Sequence, residues 1–111
     1  MGNYDYSVRT QRGVNKPYNG YASVEVTVSG SAVDYSLSHT ALFTKLDSAN
    51  ETLIRNGSEP VSIKFNSVSN DSISLVANDF FQVAGLIVTD IFVTVSGGSP
   101  ALLNVFTLGW K

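Results

Sequence analysis

The stretch Ile54-Arg55-Asn56-Gly57-Ser58-Glu59-Pro60-Val61-Ser62-Ile63-Lys64-Phe65-Asn66 decides the fold class. Val61, Ile63 and Phe65 alternate with Ser62 and Lys64, the period of a strand with one buried face. Asn56-Gly57 readily takes positive φ, and Pro60 removes a donor where a new strand begins. The segment Asn56 to Pro60 therefore reads as a turn between two strands, Glu51 to Asn56 and Val61 to Asn66.

The same period extends in both directions. Val24, Val26 and Val28 alternate with Ser23, Glu25 and Thr27, and Gly30-Ser31 ends that run. Val33, Tyr35 and Leu37 alternate with Asp34, Ser36 and Ser38. Residues 39–50 are less regular, and Leu42, Phe43 and Leu46 suit a short helix or a packed crossing loop. Downstream, Asn70-Asp71 marks a turn, Ile73 and Leu75 alternate with serines, and short strands are expected at Phe80 to Val83 and Val88 to Ser96. Gly97-Gly98-Ser99-Pro100 breaks the chain before a last strand from Ala101 to Leu108. Phe65, Phe80 or Phe81, Phe92 and Phe106 fall at positions that read as core.

These elements make an all-β chain: a single β-sandwich of about seven to nine short antiparallel strands, jelly-roll or Greek-key-like, with an extended N-terminal arm. The arm is residues 1–20 and the sandwich domain residues 21–111. The boundary follows composition. Arg9, Arg12 and Lys16 stand against Asp5 alone in the arm, whereas residues 21–111 carry four bases and eight acids. The arm is either a frayed tail or first edge strand at Tyr4 to Val8, or a segment that orders on a neighbouring subunit, for which Tyr and Arg are suited as residues enriched at interface hot spots.

Composition narrows the function. The 111 residues include no Cys, one His and only 14% charged residues, against 15 Ser, 14 Val, 9 Asn and 8 Thr. Without Cys there is no disulfide scaffold and no thiolate zinc site. At 43% hydrophobic the chain is too apolar and too weakly charged for disorder. A net charge of -2 gives no basic excess for nucleic acid. No run reaches the ~20 apolar residues of a membrane helix. The polar start lacks a secretory signal core, so synthesis without secretory targeting is expected. Asn50, Asn56 and Asn70 each begin an Asn-x-Ser/Thr triplet, and all three read as polar turns rather than glycan sites.

Catalytic chemistry finds little support. His39 is the sole candidate base for a serine triad, and no Gly-x-Ser-x-Gly elbow accompanies it. Asp34, Asp47, Asp71 and Asp79 read as turn or solvent-facing acids, not a facing pair. Asp90 stands out inside the apolar run Val88 to Val95. It is either a partly buried acid that needs a donor or a strand-end acid facing solvent. Asn70, Asp71, Asn78 and Asp79 lack EF-hand spacing. The expectation is no enzyme, with no catalytic, cofactor-binding or metal residues. Tyr18, Tyr21 and Trp110 are the exposed aromatics that a carbohydrate-binding module would use. Outward strand positions read as rich in Ser and Thr, poor in the Lys that usually guards β-edges, and suited to being covered by neighbours.

The run Ile54-Arg55-Asn56-Gly57-Ser58-Glu59-Pro60-Val61-Ser62-Ile63-Lys64-Phe65 resembles small structural proteins of tailed-bacteriophage virions. So do Ser72-Ile73-Ser74-Leu75-Val76, then Gly85-Leu86-Ile87-Val88-Thr89-Asp90-Ile91-Phe92-Val93-Thr94, a Gly-Gly turn and a closing strand ending in Gly109-Trp110. The resemblance covers about residues 50–111 and lies in a pattern rather than a diagnostic motif. It implies a virion protein made in the host cytoplasm, foremost a capsid decoration (cement) protein seated on the major capsid protein. A homo-oligomer is implied, with a trimer favoured. A head–tail, collar or fibre-associated component, or a carbohydrate-binding module, is the alternative. Tyr4, Tyr6, Arg9, Arg12, Lys16, Tyr18 and Trp110 are the expected partner-binding residues.

Overall fold

A computed structural model describes residues 17–111. Eight strands form: β1 (Gly20–Val28), β2 (Tyr35–Ser36), β3 (Ser48–Asn56), β4 (Val61–Phe65), β5 (Ile73–Leu75), β6 (Phe80–Val88), β7 (Ile91–Val95) and β8 (Ala101–Trp110). One helical turn, α1 (Ala41–Thr44), lies between β2 and β3. It buries Leu42 completely and is followed by the buried Leu46, so the irregular segment 39–50 is a packed crossing.

The strands make two four-stranded antiparallel sheets. Sheet I has the order β1-β8-β3-β6 and sheet II the order β2-β7-β4-β5. Short connections at 29–34, 57–60 and 76–79 carry the chain between sheets, so β1 faces β2, β3 faces β4 and β6 faces β5. This is the order of a jelly roll, which the strand spacing alone left open. The core is the space between the sheets. It holds Ile54, Leu103 and Val105 from sheet I and Ile63, Ile91 and Val93 from sheet II, each at most 1% exposed.

Local structure corrects four expectations. First, Asn56-Gly57 does not take positive φ; Asp34, Asn66, Asn78, Gly85 and Gly98 do. The segment is a crossover between sheets, not a hairpin. Gly57 is required because a Cβ there would meet the Leu102 carbonyl at 2.9 Å. Second, the two strands expected at Phe80 to Val83 and Val88 to Ser96 form, in different sheets, but the first runs on to Val88 and the break falls at Thr89-Asp90. Asn66 clamps the corner between them: its Oδ1 accepts from the Thr89 amide at 2.7 Å and its Nδ2 donates to the Ile87 carbonyl at 2.9 Å. Third, Asn50 and Asn56 lie in β3, and Asn56 is 6% exposed, so only Asn70 of the three triplets marks a turn. Fourth, Phe65 is core and Phe81, of the pair Phe80 or Phe81, packs against it, but Phe92 is half-buried on the outer face of sheet II and Phe106 is 36% exposed. Both turn outward because their strands alternate and the opposite row is the one facing the other sheet.

Candidate interaction surface

Sheet I has an unusual outer face. On β8, Ala101, Leu103, Val105, Thr107 and Gly109 point inward, so Leu102, Asn104, Phe106, Leu108 and Trp110 point outward. Pairing aligns these with outward residues on neighbouring strands. Phe106 stands between Ser23 of β1 and Leu53 of β3. Leu108 stands between Tyr21 and Glu51, and Asn104 between Glu25 and Arg55. Arg55 pairs in turn with Phe80 of β6.

The result is an apolar cluster of Tyr21, Leu108, Phe106 and Leu53, with the row Glu25, Asn104 and Arg55 separating it from Leu102 and ending at Phe80. The Tyr21 ring stacks on Phe106 with centroids 5.8 Å apart, and the Lys45 ammonium lies 5.4 Å from the Tyr21 centroid. The Gln82 amide donates to Glu51 at 3.1 Å. Monomeric proteins rarely leave large contiguous apolar patches uncovered, and those they do expose are often functional.

Trp110 and Tyr18 are brought together at one end of this face. Their rings meet edge to face at 5.1 Å. The indole Nε1 donates to the Pro17 carbonyl at 3.0 Å, and Asn50 Nδ2 donates to the Tyr18 hydroxyl at 3.4 Å. The Lys111 amide donates to Asn19 Oδ1 at 2.8 Å. These contacts tie residues 17–19 to the end of β8. Tyr4, Tyr6, Arg9, Arg12 and Lys16 lie outside the described residues.

No protein-family model matches the sequence, and no curated protein matches it. Among solved structures, the chain is similar to protein NMB1881 from Neisseria meningitidis. The two are 11% identical, with 85% of this chain and 79% of that chain covered and a TM-score of 0.49.

The other candidate positions are structural in their contacts. Asp90 is half-buried and finds its donors: Ser36 Oγ lies 2.9 and 2.8 Å from its two oxygens, and the Ile91 amide donates at 2.8 Å. His39 is exposed, its Nε2 3.3 Å from the Tyr35 hydroxyl. Asp34 forms an ion pair with Lys64 at 3.3 Å. Among the described residues, no group of three or more His, Asp or Glu side chains could hold a metal ion. A cavity of about 130 Å³ opens between α1 and the end of β6, lined by Leu42, Phe43, Leu46, Ala49 and Ile87. It is smaller than the roughly 300–1,000 Å³ of small-molecule sites. No helix among the described residues is long and apolar enough to cross a membrane.

The sequence reading named Tyr21 but missed Leu102, Phe106 and Phe80 as surface residues. The available signal was in Ala101 to Trp110, where both alternating rows contain apolar residues. Such a strand has apolar side chains for two contacts.

Proposed function

We propose that this chain is a non-enzymatic virion structural protein of a tailed bacteriophage, a capsid decoration protein that docks through the outer face of sheet I. The observation that carries the reading is the exposure of Tyr21, Leu102, Phe106 and Phe80 on a regular sheet surface. Apolar anchors interleaved with Glu25, Asn104 and Arg55 suit a protein–protein interface, in which exposed aromatics and Arg are enriched. The resemblance of residues 50–111 to phage structural proteins supplies the kind of partner, a shell built from the major capsid protein.

The test is co-sedimentation with emptied shells of the phage whose structural genes flank its own. Specific, saturable binding that falls at least tenfold in Phe106→Ser supports the reading. A gene without phage neighbours, or a folded protein that ignores the shells, removes it.

One observation favours a second reading. Tyr21 is 58% exposed and stacked on Phe106 beside Glu25 and Asn104, an aromatic platform with polar neighbours that also suits a sugar ring. A glycan array probed with the wild type and Tyr21→Ala separates the two. Glycan binding lost in that variant would make the surface a carbohydrate site.

A further inference from the structure

β1 is an edge strand of sheet I. It pairs with β8 over nine residues and with no other strand among the described residues. An edge presents a row of unpaired amides and carbonyls, and proteins usually guard it with Lys, Pro or a bulge. Gly20–Val28 has none of these: its register with β8 is unbroken and its only charge is Glu25. The opposite edge, β6, is irregular, with Gly85 at φ 80° and a register shift opposite Ala49 and Glu51.

The sandwich is also open along this side. The strand facing β1 is β2, only two residues long. Ser36 contacts Asp90 on the outer face of sheet II, so Tyr35, its neighbour in β2, points toward the space between the sheets. Tyr35 is in register with Val93, which is fully buried. Even so, Tyr35 is 40% exposed. Val24 and Val26 point inward from β1 and are only half-buried. Apolar side chains thus line a seam that the described residues do not cover.

The chain contains a segment of matching chemistry. Residues 1–16 precede the described body and include Tyr4-Asp5-Tyr6-Ser7-Val8-Arg9-Thr10, in which apolar residues recur at every second position. Sixteen extended residues reach about 50 Å. The place where they join the body matters. Pro17 and Tyr18 are held by Trp110 of β8 and Asn50 of β3, across β8 from the free edge of β1. Asn19 still pairs with Gly109 from the β1 side, so the segment leaves the body at the Gly20 end of β1; its own edge is reached only by reversing direction within residues 11–16, whereas the edge of another copy needs no reversal.

We infer that residues 4–10 of one copy add as a strand to the β1 edge of a second copy. Tyr4, Tyr6 and Val8 close the seam against Val24, Val26 and Tyr35, while Arg9 lies on the outward side with Glu25. Backbone pairing supplies affinity and the alternate side chains supply register, as in β-strand addition generally. Each copy both donates and accepts; a reciprocal exchange makes a two-fold pair, and a head-to-tail exchange makes a ring when its rotation closes. It uses a different surface from the outer face of sheet I and needs no shell.

The test is native mass spectrometry and amide hydrogen exchange on the full-length chain, compared with Tyr6→Pro and Ser7→Pro. Proline removes a strand amide, and adjacent positions cover both sides of the added strand. The expected result is a closed oligomer with slow exchange across Gly20–Val28. At least one variant becomes a monomer whose β1 amides exchange about tenfold faster or more, with β3 and β8 unchanged. Three results overturn the inference: a monomeric wild type, an oligomer indifferent to both prolines, or slow β1 exchange in a monomer, which would mean pairing in cis. Phe106→Ser leaves this oligomer intact, so shell docking and strand exchange fail separately.

Discussion

Sheet II turns Val61, Ile63, Phe65, Ile91, Val93 and Val95 inward and Ser62, Lys64, Ser74 and Thr94 outward. Sheet I turns Thr52, Asn56 and Thr107 inward, along with its aliphatic residues, and Leu102, Phe106 and Phe80 outward. Both inner faces are mainly aliphatic, but among the described residues sheet I alone buries Thr52, Asn56 and Thr107 and exposes the more apolar outer face. Volume explains part of the difference. Small residues, Ala22, Ala49, Ala101 and Gly109, are among the inward residues near the ends of sheet I. A Cβ on Gly109 would run into the backbone of Ser48 and Ala49. The bulkier row of β8, with Phe106 and Trp110, is left to the outside. A sheet with one apolar face needs one partner sheet, whereas a sheet with two has surface for another contact.

The severest way to break this comparison is to put a charge into the conventional sheet. Ile63 is 1% exposed and registers with Ile73 and Val93. Ile63→Asp buries an unpaired carboxylate at a cost of about 4 kcal/mol or more, most of a small domain's stability. No cooperative melt is expected by circular dichroism. A soluble, folded variant would show that the inner face of sheet II is misassigned.

The next largest effect concerns the polar side chain that joins the sheets. Asn56 Nδ2 donates to the carbonyls of Glu59 at 2.7 Å, Val76 at 2.9 Å and Leu75 at 3.3 Å. It thereby pins both the β3–β4 crossover and the end of β5. Asn56→Ala leaves these acceptors without their donor and is expected to cost about 2–3 kcal/mol in chemical denaturation. A loss below about 0.5 kcal/mol would mean that the crossover is held by its backbone bonds alone.

Asn56 also shows what could and could not be read from the chain. The period-two runs around Val24, Ile63 and Val93 announced strands and the sandwich, because a half-buried strand must alternate. Asn-Gly suggested a tight reversal, yet this Asn is used for its amide and this Gly for its lack of Cβ. Both depend on carbonyls from distant strands. The break at Thr89-Asp90 was hidden for a similar reason, since Asn66, far back in the chain, supplies the clamp. The apolar outer band was masked by β8 itself: period two identifies two rows and does not say which faces the core. Tyr18 and Trp110 were singled out as separate aromatics, and only the fold brings their rings together.

A smaller effect, of opposite sign, sharpens the contrast at the inner face of sheet I. Thr52 and Thr107 are register partners, 1% and 0% exposed, and neither hydroxyl has a hydrogen-bond partner among the described residues. Replacing such a group by an apolar one of the same shape removes a desolvation cost. Thr52→Val and Thr107→Val should each stabilise the fold by about 1 kcal/mol, raising the melting temperature by roughly 4 °C. A fall in melting temperature would mean that the hydroxyls are satisfied, for instance by a shared water.

The smallest stability effect belongs to the outer faces, where the comparison is most direct. Each sheet has an outward Phe on a central strand: Phe106 on β8 in sheet I and Phe92 on β7 in sheet II. Phe92 is half-buried between Ser36 and Lys64, and Phe106 is exposed between Ser23 and Leu53. Phe106→Ser gives up the stacking with Tyr21 and should cost about 1 kcal/mol or less. If the apolar band is a docking surface, this variant loses shell binding while its melt stays near that of the wild type. Phe92→Ser, on the polar face, should leave binding unchanged. Equal loss of binding in both would show that the two outer faces do not differ in function. A large destabilisation by Phe106→Ser alone would show that the band is already covered within the chain.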